Sequence, residues 1–512
     1  MSAELSYASK RETPRLSKSR FVAGVQCLKR LYWQVYQPEL AGEIDEGQEA
    51  RFEQGHEVGA LARTAFPGGV LVDSNVSDLE AALKRTAALI DDPAVPAIFE
   101  ATIRRSSVLV RVDILERRPR NRWRLIEVKS SVETKEHYIY DVAIQHHVVQ
   151  GSGLNISSAC LMHLNRDYVY DGQSYDPHGL FIIEDLTRGV RRLGSDLPRL
   201  LRAQQQALAR NEPPNVEAGP QCHDPYECEF FGQCNPALPE THISVLPRLS
   251  EQRKQDLLGL GVNLIKQIPD DFPLTELQAR VCTAVKTDRP WTSRTLAKEL
   301  SRLTFPLYFM DFESLYPAIP RYAGMWPYSH IPFQWSVHRQ LELGALSEPF
   351  EFLADDDNDP RQAFISSLIK ALGNRGRIVV YNSTFESQRL RDLAGWLPQY
   401  AGKIDKIQDR LWDLWPFVKR HVYHPQFRGS FSLKAVLPAL VDLSYEGMEV
   451  SHGDQAGLAW DRMIRGGVDA SERQRLKLAL LAYCCQDTLG MVRILEHLKT
   501  LTVRSQARGR TS

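Results

Sequence analysis

The stretch RVDILERRPRNRWRLIEVKSS, residues 111–131, decides the fold of the first half of the chain. It contains two apolar runs separated by a short polar segment, a pattern that is typical of two adjacent strands. Asp113 lies in the first run, whereas Glu127 and Lys129 end the second. Because Glu127 and Lys129 are two residues apart, both side chains point to the same face of their strand.

Two carboxylates on adjacent strands can share one divalent cation, because hard cations prefer oxygen ligands. Asp113 and Glu127 are therefore predicted to bind Mg²⁺ or Mn²⁺. Lys129 is predicted to orient or deprotonate a water molecule beside the metal. A helix through residues 141–150 is predicted to follow the second strand.

This D-x13-E-x-K arrangement resembles the PD-(D/E)XK nuclease superfamily, and the resemblance extends over residues 18–236. It implies that His56, on a helix predicted near 46–65, is a further metal ligand, as in the RecB-like branch. It also implies a catalytic role for Gln145 on the helix that follows the second strand. That branch usually has a tyrosine shortly after this glutamine, whereas here tyrosines such as Tyr138 precede it.

Three evenly spaced cysteines close this half of the chain in the segment QCHDPYECEFFGQC, namely Cys222, Cys228 and Cys234, and Cys27 is the best fourth partner. Four thiolates suit a zinc ion or an iron–sulfur cluster, and the spacing leaves both open. One cysteine before a nuclease core and three after it resembles the iron-staple nucleases, which comprise AddB-type nucleases and RecB-like CRISPR-associated exonucleases. The resemblance implies a [4Fe–4S] cluster that ties the two ends of the domain together. The other cysteines are predicted to be core residues: Cys160, Cys282, Cys484 and Cys485.

The second half of the chain contains three acidic motifs. Asp311 and Glu313 end the apolar run PLYFMDFES and share one face of a predicted strand. Glu386 lies on the first turn of the helix after the next predicted strand, GRIVVYN. Tyr483 and Asp487 are four residues apart on one face of a long helix. Such acids can bind two divalent ions for phosphodiester hydrolysis, with Tyr483 holding the attacking water.

The order D-x-E, N-x-x-F-acid and Y-x3-D resembles the DnaQ-like (DEDD, tyrosine-type) 3′→5′ exonucleases, over about residues 303–500. The resemblance implies an RNase H-like fold and a pair of Mg²⁺ or Mn²⁺ ions. The family usually has an aspartate where this chain has Glu386. Asp392, Asp409 and Asp413 are therefore alternative ligands.

The predicted fold class is α/β, with a PD-(D/E)XK restriction-endonuclease-like domain followed by an RNase H-like domain. The predicted segments are a flexible basic arm (1–20), the first nuclease domain (21–236), a short helical connector (237–302), the exonuclease domain (303–502) and a tail (503–512). In the connector, LLGLGV (Leu257–Val262) is similar to the turn of a helix-hairpin-helix, whose backbone N–H groups could face a DNA phosphate. Ser471 is predicted to cap the long helix.

The composition, with 43% hydrophobic and 25% charged residues, is typical of a soluble globular protein, and no apolar run predicts a membrane span. The polar, basic start of the sequence is not a secretory signal, so a cytoplasmic location is expected. The equal counts of 63 basic and 63 acidic residues argue against a DNA-packaging role but fit a nuclease with acidic metal sites.

The sequence therefore predicts a metal-dependent DNA nuclease that processes single-stranded DNA or duplex ends in repair, mobile-element handling or defence. RNA remains open as an alternative substrate. Two further alternatives are a nucleic-acid-binding scaffold with one decayed centre and a cluster that senses redox state.

Overall fold

The structure is a computed structural model that describes residues 15–43, 46–72, 79–235 and 238–508, with side chains to residue 502. The chain forms two compact units. The first contains the chain up to residue 237 together with Pro317–Ser329, and the second contains Leu238–Tyr316 together with the chain from His330 onward. Both units combine a mixed sheet with helices, which confirms the predicted α/β class. Residues 238–302, predicted as part of a connector, belong to the second unit.

The first unit is built on a seven-stranded sheet. Its strands are β1 (Leu16–Ser17), β2 (Val70–Leu71), β3 (Ala97–Arg105), β4 (Val108–Arg118), β5 (Arg122–Lys129), β6 (Ile156–Leu164) and β7 (Phe181–Asp185). Its helices are α1 (Lys18–Gln26), α2 (Leu28–Tyr36), α3 (Glu46–Arg63), α4 (Leu79–Asp91), α5 (Tyr138–Gly151), α6 (Pro177–Leu180), α7 (Thr187–Gly194), α8 (Leu197–Leu208) and α9 (Phe231–Cys234). The strand order is β2-β3-β4-β5-β6-β7, with β1 beside β4. β4 and β5 are antiparallel, whereas β5 and β6 are parallel and joined through α5.

The pairing of β4 with β5 places the predicted acids at the same level of the sheet. Along β4, Val110 and Val112 are buried and alternate with less buried residues that include Asp113. The antiparallel register pairs Ile114 with Ile126, so Asp113 and Glu127 are the next residues along the two strands. The alternation that predicted these strands therefore also fixes which face carries the carboxylates.

The prediction of a flexible arm is wrong for residues 15–20. Leu16 is fully buried and pairs with β4 in parallel register. Ser17 caps α1 by accepting a hydrogen bond from the backbone N–H of Arg20 at 3.2 Å. Residues 1–14 lie outside the described residues. The first described turn of the chain is therefore an ordered part of the first unit.

A short segment that is distant in sequence completes the first unit's core. Ala318 belongs to the same buried cluster as Val58 and Ile126. The backbone of Tyr170 forms two hydrogen bonds of 2.8 Å with this segment, and the Tyr328 hydroxyl donates to the backbone carbonyl of Ser130. Pro317–Ser329 are thus structurally part of the first unit, although they interrupt the sequence of the second.

The second unit is built on a five-stranded sheet of order β11-β10-β9-β12-β13 and a separate β8–β14 pair. Its strands are β8 (Trp291–Thr292), β9 (Leu307–Leu315), β10 (Ile331–Gln340), β11 (Glu348–Leu353), β12 (Arg377–Val380), β13 (Leu411–Asp413) and β14 (Val422–Tyr423). Its helices are α10 (Glu251–Gly259), α11 (Glu276–Thr287), α12 (Leu296–Leu300), α13 (Arg361–Leu372), α14 (Thr384–Trp396), α15 (Ala401–Gln408), α16 (Leu414–His421), α17 (Leu433–Val441), α18 (Gly453–Arg465) and α19 (Ala470–Arg508). β9 lies at the centre, antiparallel to β10 and parallel to β12.

The turn after α10 does not form the predicted helix-hairpin-helix. Gly261 adopts a left-handed conformation with φ +74°, which lets the chain fold back on the helix end. The backbone N–H groups of Leu260, Gly261 and Val262 all donate to carbonyl groups of α10. The next element along the chain is a single 3₁₀ turn, Ile265–Gln267, rather than a second helix. These three N–H groups are therefore satisfied internally, and the phosphate-binding prediction is wrong.

The long helix α19 is longer than predicted at both ends. It begins at Ala470, and the side chain of Asp469 accepts a hydrogen bond of 2.8 Å from the N–H of Glu472. Asp469 rather than Ser471 therefore caps the helix. The predicted tail is helical as far as Arg508, and residues 509–512 lie outside the described residues.

By length and composition, the part of α19 from Ala470 to Thr502 could cross a membrane. However, 56% of its most apolar stretch is buried inside the protein. The helix packs against β9 and β10 and against α17 and α18 of its own unit. This packing accounts for the buried part of its apolar surface.

Candidate active sites

The first candidate site is centred on Glu127, at the end of β5. Lys129 Nζ lies 2.9 Å from Glu127 Oε1 and 2.7 Å from Asp141 Oδ2. Gln145, on α5, donates from Nε2 to Glu127 Oε2 at 2.6 Å. Asp141 is four residues before Gln145 on the same helix face, a spacing that could have identified it from the sequence. The structure thus brings together the predicted glutamate, lysine and glutamine.

Lys18, at the start of α1, is a second residue at this site, besides Asp141, that sequence reasoning missed. Its Nζ lies 2.8 and 2.9 Å from the two carboxylate oxygens of Glu127 and 3.8 Å from Asp113 Oδ1. The ammonium group therefore bridges the two acids that were predicted to share a metal ion. No pattern in the segment around Lys18 distinguishes it from a surface lysine, so only the fold reveals this contact.

The two acids have opposite pKa shifts. Burial and the charge of Glu127 raise the pKa of Asp113 to about 7, although a 2.7 Å hydrogen bond from the N–H of Val128 partly opposes the rise. Burial alone would also raise the pKa of Glu127, but Lys18 and Lys129 outweigh it and hold that pKa well below the usual range. Near neutral pH the pair therefore contains one firmly ionised carboxylate and one that readily takes up a proton.

His56 does not lie with these residues, although it was predicted to be a metal ligand. It is exposed on α3, and among the described residues it forms no group with Asp113 and Glu127 whose ligand atoms all lie within 4.8 Å. The tyrosine that precedes Gln145 does reach the site, since the ring centre of Tyr138 lies 5.2 Å from Lys129 Nζ. The first site thus consists of residues from α1, β4, β5 and α5.

Replacing Lys18 by methionine should tighten divalent-metal binding to the first unit by about tenfold or more, since 1.4 kcal/mol of removed competition corresponds to a factor of ten. The ammonium group and a metal ion would compete for the same oxygens of Glu127. Mn²⁺ titration followed by calorimetry, in an Asp311→Asn background that disables the second site, measures the change. Lys84→Met, at an exposed position on α4, is the matched control. Weaker Mn²⁺ binding in Lys18→Met would contradict the competition.

The second candidate site collects four carboxyl groups. Asp311 and Glu313 lie on the central strand β9, Glu386 on the first turn of α14 and Asp487 on α19. Glu313, Glu386 and Asp487 are buried, and Asp311 is partly buried. Burial raises the pKa of each, and the charges of Asp487, Glu313 and Glu386 raise the pKa of Asp311 further. The structure therefore brings together all four acids of the predicted second site.

Lys434 is the cation associated with this group. Burial lowers its pKa, whereas the charges of Asp487 and Glu313 oppose that change. Its Nζ lies 5.9 Å from the ring centre of Tyr483 and 5.7 Å from that of Tyr445. The Tyr445 hydroxyl donates a short hydrogen bond to Asp487 Oδ1. Neither Lys434 nor Tyr445 was among the predicted site residues.

Among the alternative ligands, Glu386 is the residue whose charge acts on Asp311 and Glu313, although Asp413 lies close enough to raise the pKa of Glu386. Its Oε2 atom is buried without a hydrogen-bond partner among the described residues. Asp413 instead orders the turn before α14, where it accepts hydrogen bonds from the N–H groups of Asn382 and Ser383. Asp392 is held in an ion pair with Arg389 at 2.9 Å. The fourth candidate, at position 409, is exposed at the end of α15.

Cys484 is the other residue at the second site that sequence reasoning missed, because it was predicted to be a core residue. It is buried, and its Sγ lies 4.0 Å from Asp311 Oδ2. Among the described residues, Asp311, Glu313 and Cys484 form the one group of potential metal ligands whose ligand atoms all lie within 4.8 Å of one another. Its position next to Tyr483 was the available signal.

Without metal ions, the protein should lose stability as the pH rises from about 5 to 8. The pKa of Glu386 is raised from 4.5 to about 8 and that of Asp487 to about 6, so the folded state binds more protons than the unfolded state in this range. We expect the Tm to fall by roughly 5–10 °C over the interval, and Glu386→Gln to flatten the slope. Calorimetry with and without Mn²⁺ measures this.

The control for this experiment is Glu342→Gln, at an exposed position, which should leave the slope unchanged. Saturating Mn²⁺ should reduce the slope in the unaltered protein, because a bound cation favours the ionised carboxylates. Parallel Tm curves for Glu386→Gln and the unaltered protein would rule out a buried, protonated Glu386.

The three-cysteine segment lies against the junction of α1 and α2, where Cys27 is located. Gln26 Nε2 donates to the backbone carbonyls of Gln221 and Tyr226, both at 2.7 Å. The N–H of Cys228 donates to the carbonyl of Cys222 at 2.8 Å. These bonds connect two parts of the chain that are about 200 residues apart.

The cysteine thiols are close enough to affect one another. Burial raises the pKa of Cys228 and Cys234, and Cys27 contributes to both increases. Cys222 also contributes to the raised pKa of Cys234. Among the described residues, however, no three of the four sulfurs all lie within 4.8 Å of one another. The structure therefore places Cys27 near Cys228 and Cys234, and Cys222 near Cys234.

Comparison with known proteins adds little about activity. A family model described as "Domain of unknown function (DUF2779)" matches residues 308–432, which include Asp311, Glu313 and Glu386. The uncharacterized protein UU173 of Ureaplasma parvum serovar 3 is 22% identical over 216 residues. That alignment covers 38% of this chain and 31% of the relative, so the chain spans about a third of the relative's length. No solved structure matches.

Proposed function

We propose that this protein is a metal-dependent DNA nuclease with a phosphodiester-cleaving centre in each unit. The observation that carries the proposal is the excess of carboxyl groups in the second unit. Asp311, Glu313, Glu386 and Asp487 form one group, and the Lys434 ammonium group acts on two of them, Glu313 and Asp487. Uncompensated buried charge is costly, and divalent cations with oxygen ligands are the usual compensation. The Glu386 Oε2 atom, which has no hydrogen-bond partner in the described part of the chain, supports this interpretation.

In the second centre these four carboxyl groups would hold Mg²⁺ or Mn²⁺. The cations would stabilise the charge that develops on the attacking and leaving oxygens of the phosphodiester. Tyr483 would position the attacking water. Burial and the charge of Asp487 raise the pKa of Tyr483, so its hydroxyl keeps its proton. Its ring lies close to that of Tyr445. Lys434 would contribute positive charge beside the scissile phosphate.

In the first centre Asp113 and Glu127 would hold the metal ion. Lys129 would orient the water, since its ammonium group already contacts Glu127 and Asp141. Gln145 would fix the Glu127 carboxylate through its 2.6 Å hydrogen bond. This arrangement supports the proposal that the first unit is a RecB-like PD-(D/E)XK domain. The acids on β9, α14 and α19 support the proposal of a DnaQ-like, RNase H-like second unit.

Asp113→Asn and Asp311→Asn should each reduce Mn²⁺-dependent digestion of end-labelled DNA by at least 100-fold at its own centre, because each removes a proposed metal ligand. The measurement uses single-stranded and duplex DNA and RNA substrates, and the double variant should be inactive. Asp167→Asn, at an exposed loop position, is the control. If the double variant digested all substrates at the unaltered rate, the proposal would fail.

One observation favours a second candidate function for the first unit alone, namely DNA binding without cleavage. Lys18 already neutralises Glu127 at 2.8 Å, so this unit has less need of a cation than the second. In that case Asp113→Asn would leave cleavage unchanged while Asp311→Asn abolished it. The same digestion assay therefore separates the two functions.

We also propose that Cys27, Cys222, Cys228 and Cys234 hold a [4Fe–4S] cluster. A single zinc ion with Zn–S bonds of about 2.3 Å would need sulfurs roughly 3.8 Å apart. Among the described residues, no three of these sulfurs all lie within 4.8 Å of one another, and the arrangement of one cysteine before and three after the core, which resembles the iron-staple nucleases, supports a cluster. Nearby cations suit negatively charged thiolates, since Lys29 forms a hydrogen bond with Cys234. The cluster would connect both ends of the first unit.

Anaerobically purified protein should be brown and contain about four iron atoms per chain. Cys234→Ser should lose most of this iron and lower the Tm of the first unit, because the connection between α2 and the three-cysteine segment is removed. Iron analysis, visible absorption and calorimetry measure these changes. Cys282→Ser, outside the cluster, is the control. A colourless preparation with one zinc atom per chain would overturn the cluster assignment.

A further inference from the structure

Cys484 lies within the second site, yet the proposed hydrolysis gives it no role. Its side chain is fully buried. The Sγ atom lies 3.9 Å from the backbone oxygen of Asp311 and 4.0 Å from Asp311 Oδ2. A ligand atom from each of Asp311, Glu313 and Cys484 lies within 4.8 Å of the other two. A buried thiol is therefore placed among hard oxygen ligands.

A second observation indicates that this group faces a ligand. Glu386 is 2% exposed, and its Oε2 atom has no hydrogen-bond partner among the described residues. Its charge acts on both Asp311 and Glu313, so it faces the same space. Buried carboxylate oxygens are normally satisfied, and a cation would satisfy this one.

We propose that Cys484 is a metal ligand, so that one cation position of the second site takes a thiophilic divalent ion, such as Zn²⁺, Co²⁺ or Fe²⁺, in preference to Mg²⁺. Thiolate ligands select such ions, whereas sites made only of carboxylates suit Mg²⁺ and Mn²⁺. On binding, the S–H bond breaks, a sulfur–metal bond forms and the proton passes to bulk water. This inference rests on the proposed function, because it assumes that the second site binds cations.

The adjacent Cys485 provides a matched control. Successive residues of a helix are rotated by about 100°, so Cys485 points away from the face that carries Cys484. In agreement, Cys485 is only partly buried, and burial and the charge of Glu351 raise its pKa. The acids Asp311 and Glu313 act instead on Cys484. The two adjacent cysteines therefore differ in their position relative to the site.

The test uses the full-length protein with its iron content measured and its other divalent metals removed. One equivalent of Zn²⁺ is added, and zinc K-edge absorption spectroscopy measures the ligand shell. We expect one sulfur at about 2.3 Å in the unaltered protein and in Cys485→Ser. Cys484→Ser should lose this sulfur and bind Zn²⁺ at least tenfold more weakly by calorimetry, with unchanged Mg²⁺ affinity.

The outcomes separate this inference from the function on which it rests. A sulfur shell and Zn²⁺ affinity that persist unchanged in Cys484→Ser would overturn the thiolate ligand while leaving a carboxylate metal site intact. If neither Zn²⁺ nor Mg²⁺ bound to the unaltered protein, or if Asp311→Asn had no effect on binding, the cation centre itself would fail. Thermal unfolding of both serine variants shows that each remains folded.

Discussion

The second unit depends on the placement of like-charged carboxyl groups where little water can reach them. Asp311 and Glu313 come from the central strand, which is otherwise almost continuously apolar, and Glu386 and Asp487 approach from two helices. Burial makes each ionisation unfavourable, and each added charge makes the next more so. In such a fold the apolar packing that buries these carboxyl groups also raises the free energy of their ionised forms. A site of this kind is more often functional than structural.

The two units respond to this electrostatic problem differently. In the first unit, Lys18 and Lys129 accompany three carboxyl groups, and their charges keep Glu127 ionised. In the second unit, Lys434 accompanies four, and the pKa values of all four carboxyl groups are raised. Internal ion pairs therefore provide most of the compensation in the first unit. In the second unit, ion pairs with the protein's own cations provide much less of this compensation.

Most of the strands and the acids on them could be predicted, because side-chain alternation determines both the strand and the face that carries Asp113 or Asp311. Contacts between distant parts of the chain could not be predicted from the sequence. Lys18 meets Glu127 across 109 positions, and Lys434 approaches Asp487 only after α17 has packed on α19. The turn after α10 was predicted wrongly because a sequence pattern does not show whether N–H groups are already used by the preceding helix. His56 lies on a helix, as predicted, but the sequence could not show whether that helix brings it close to Asp113 and Glu127.

The location of Pro317–Ser329 in the first unit has a practical consequence for dissecting the protein. A fragment ending at residue 237 would lack Ala318, so the cluster around Val58 would be left with exposed apolar surface. A fragment beginning at residue 238 would carry the same peptide without the neighbours it packs against. Domain boundaries chosen by cutting the chain once would therefore damage both halves. Point substitutions in the intact polypeptide are the sounder way to assign separate activities.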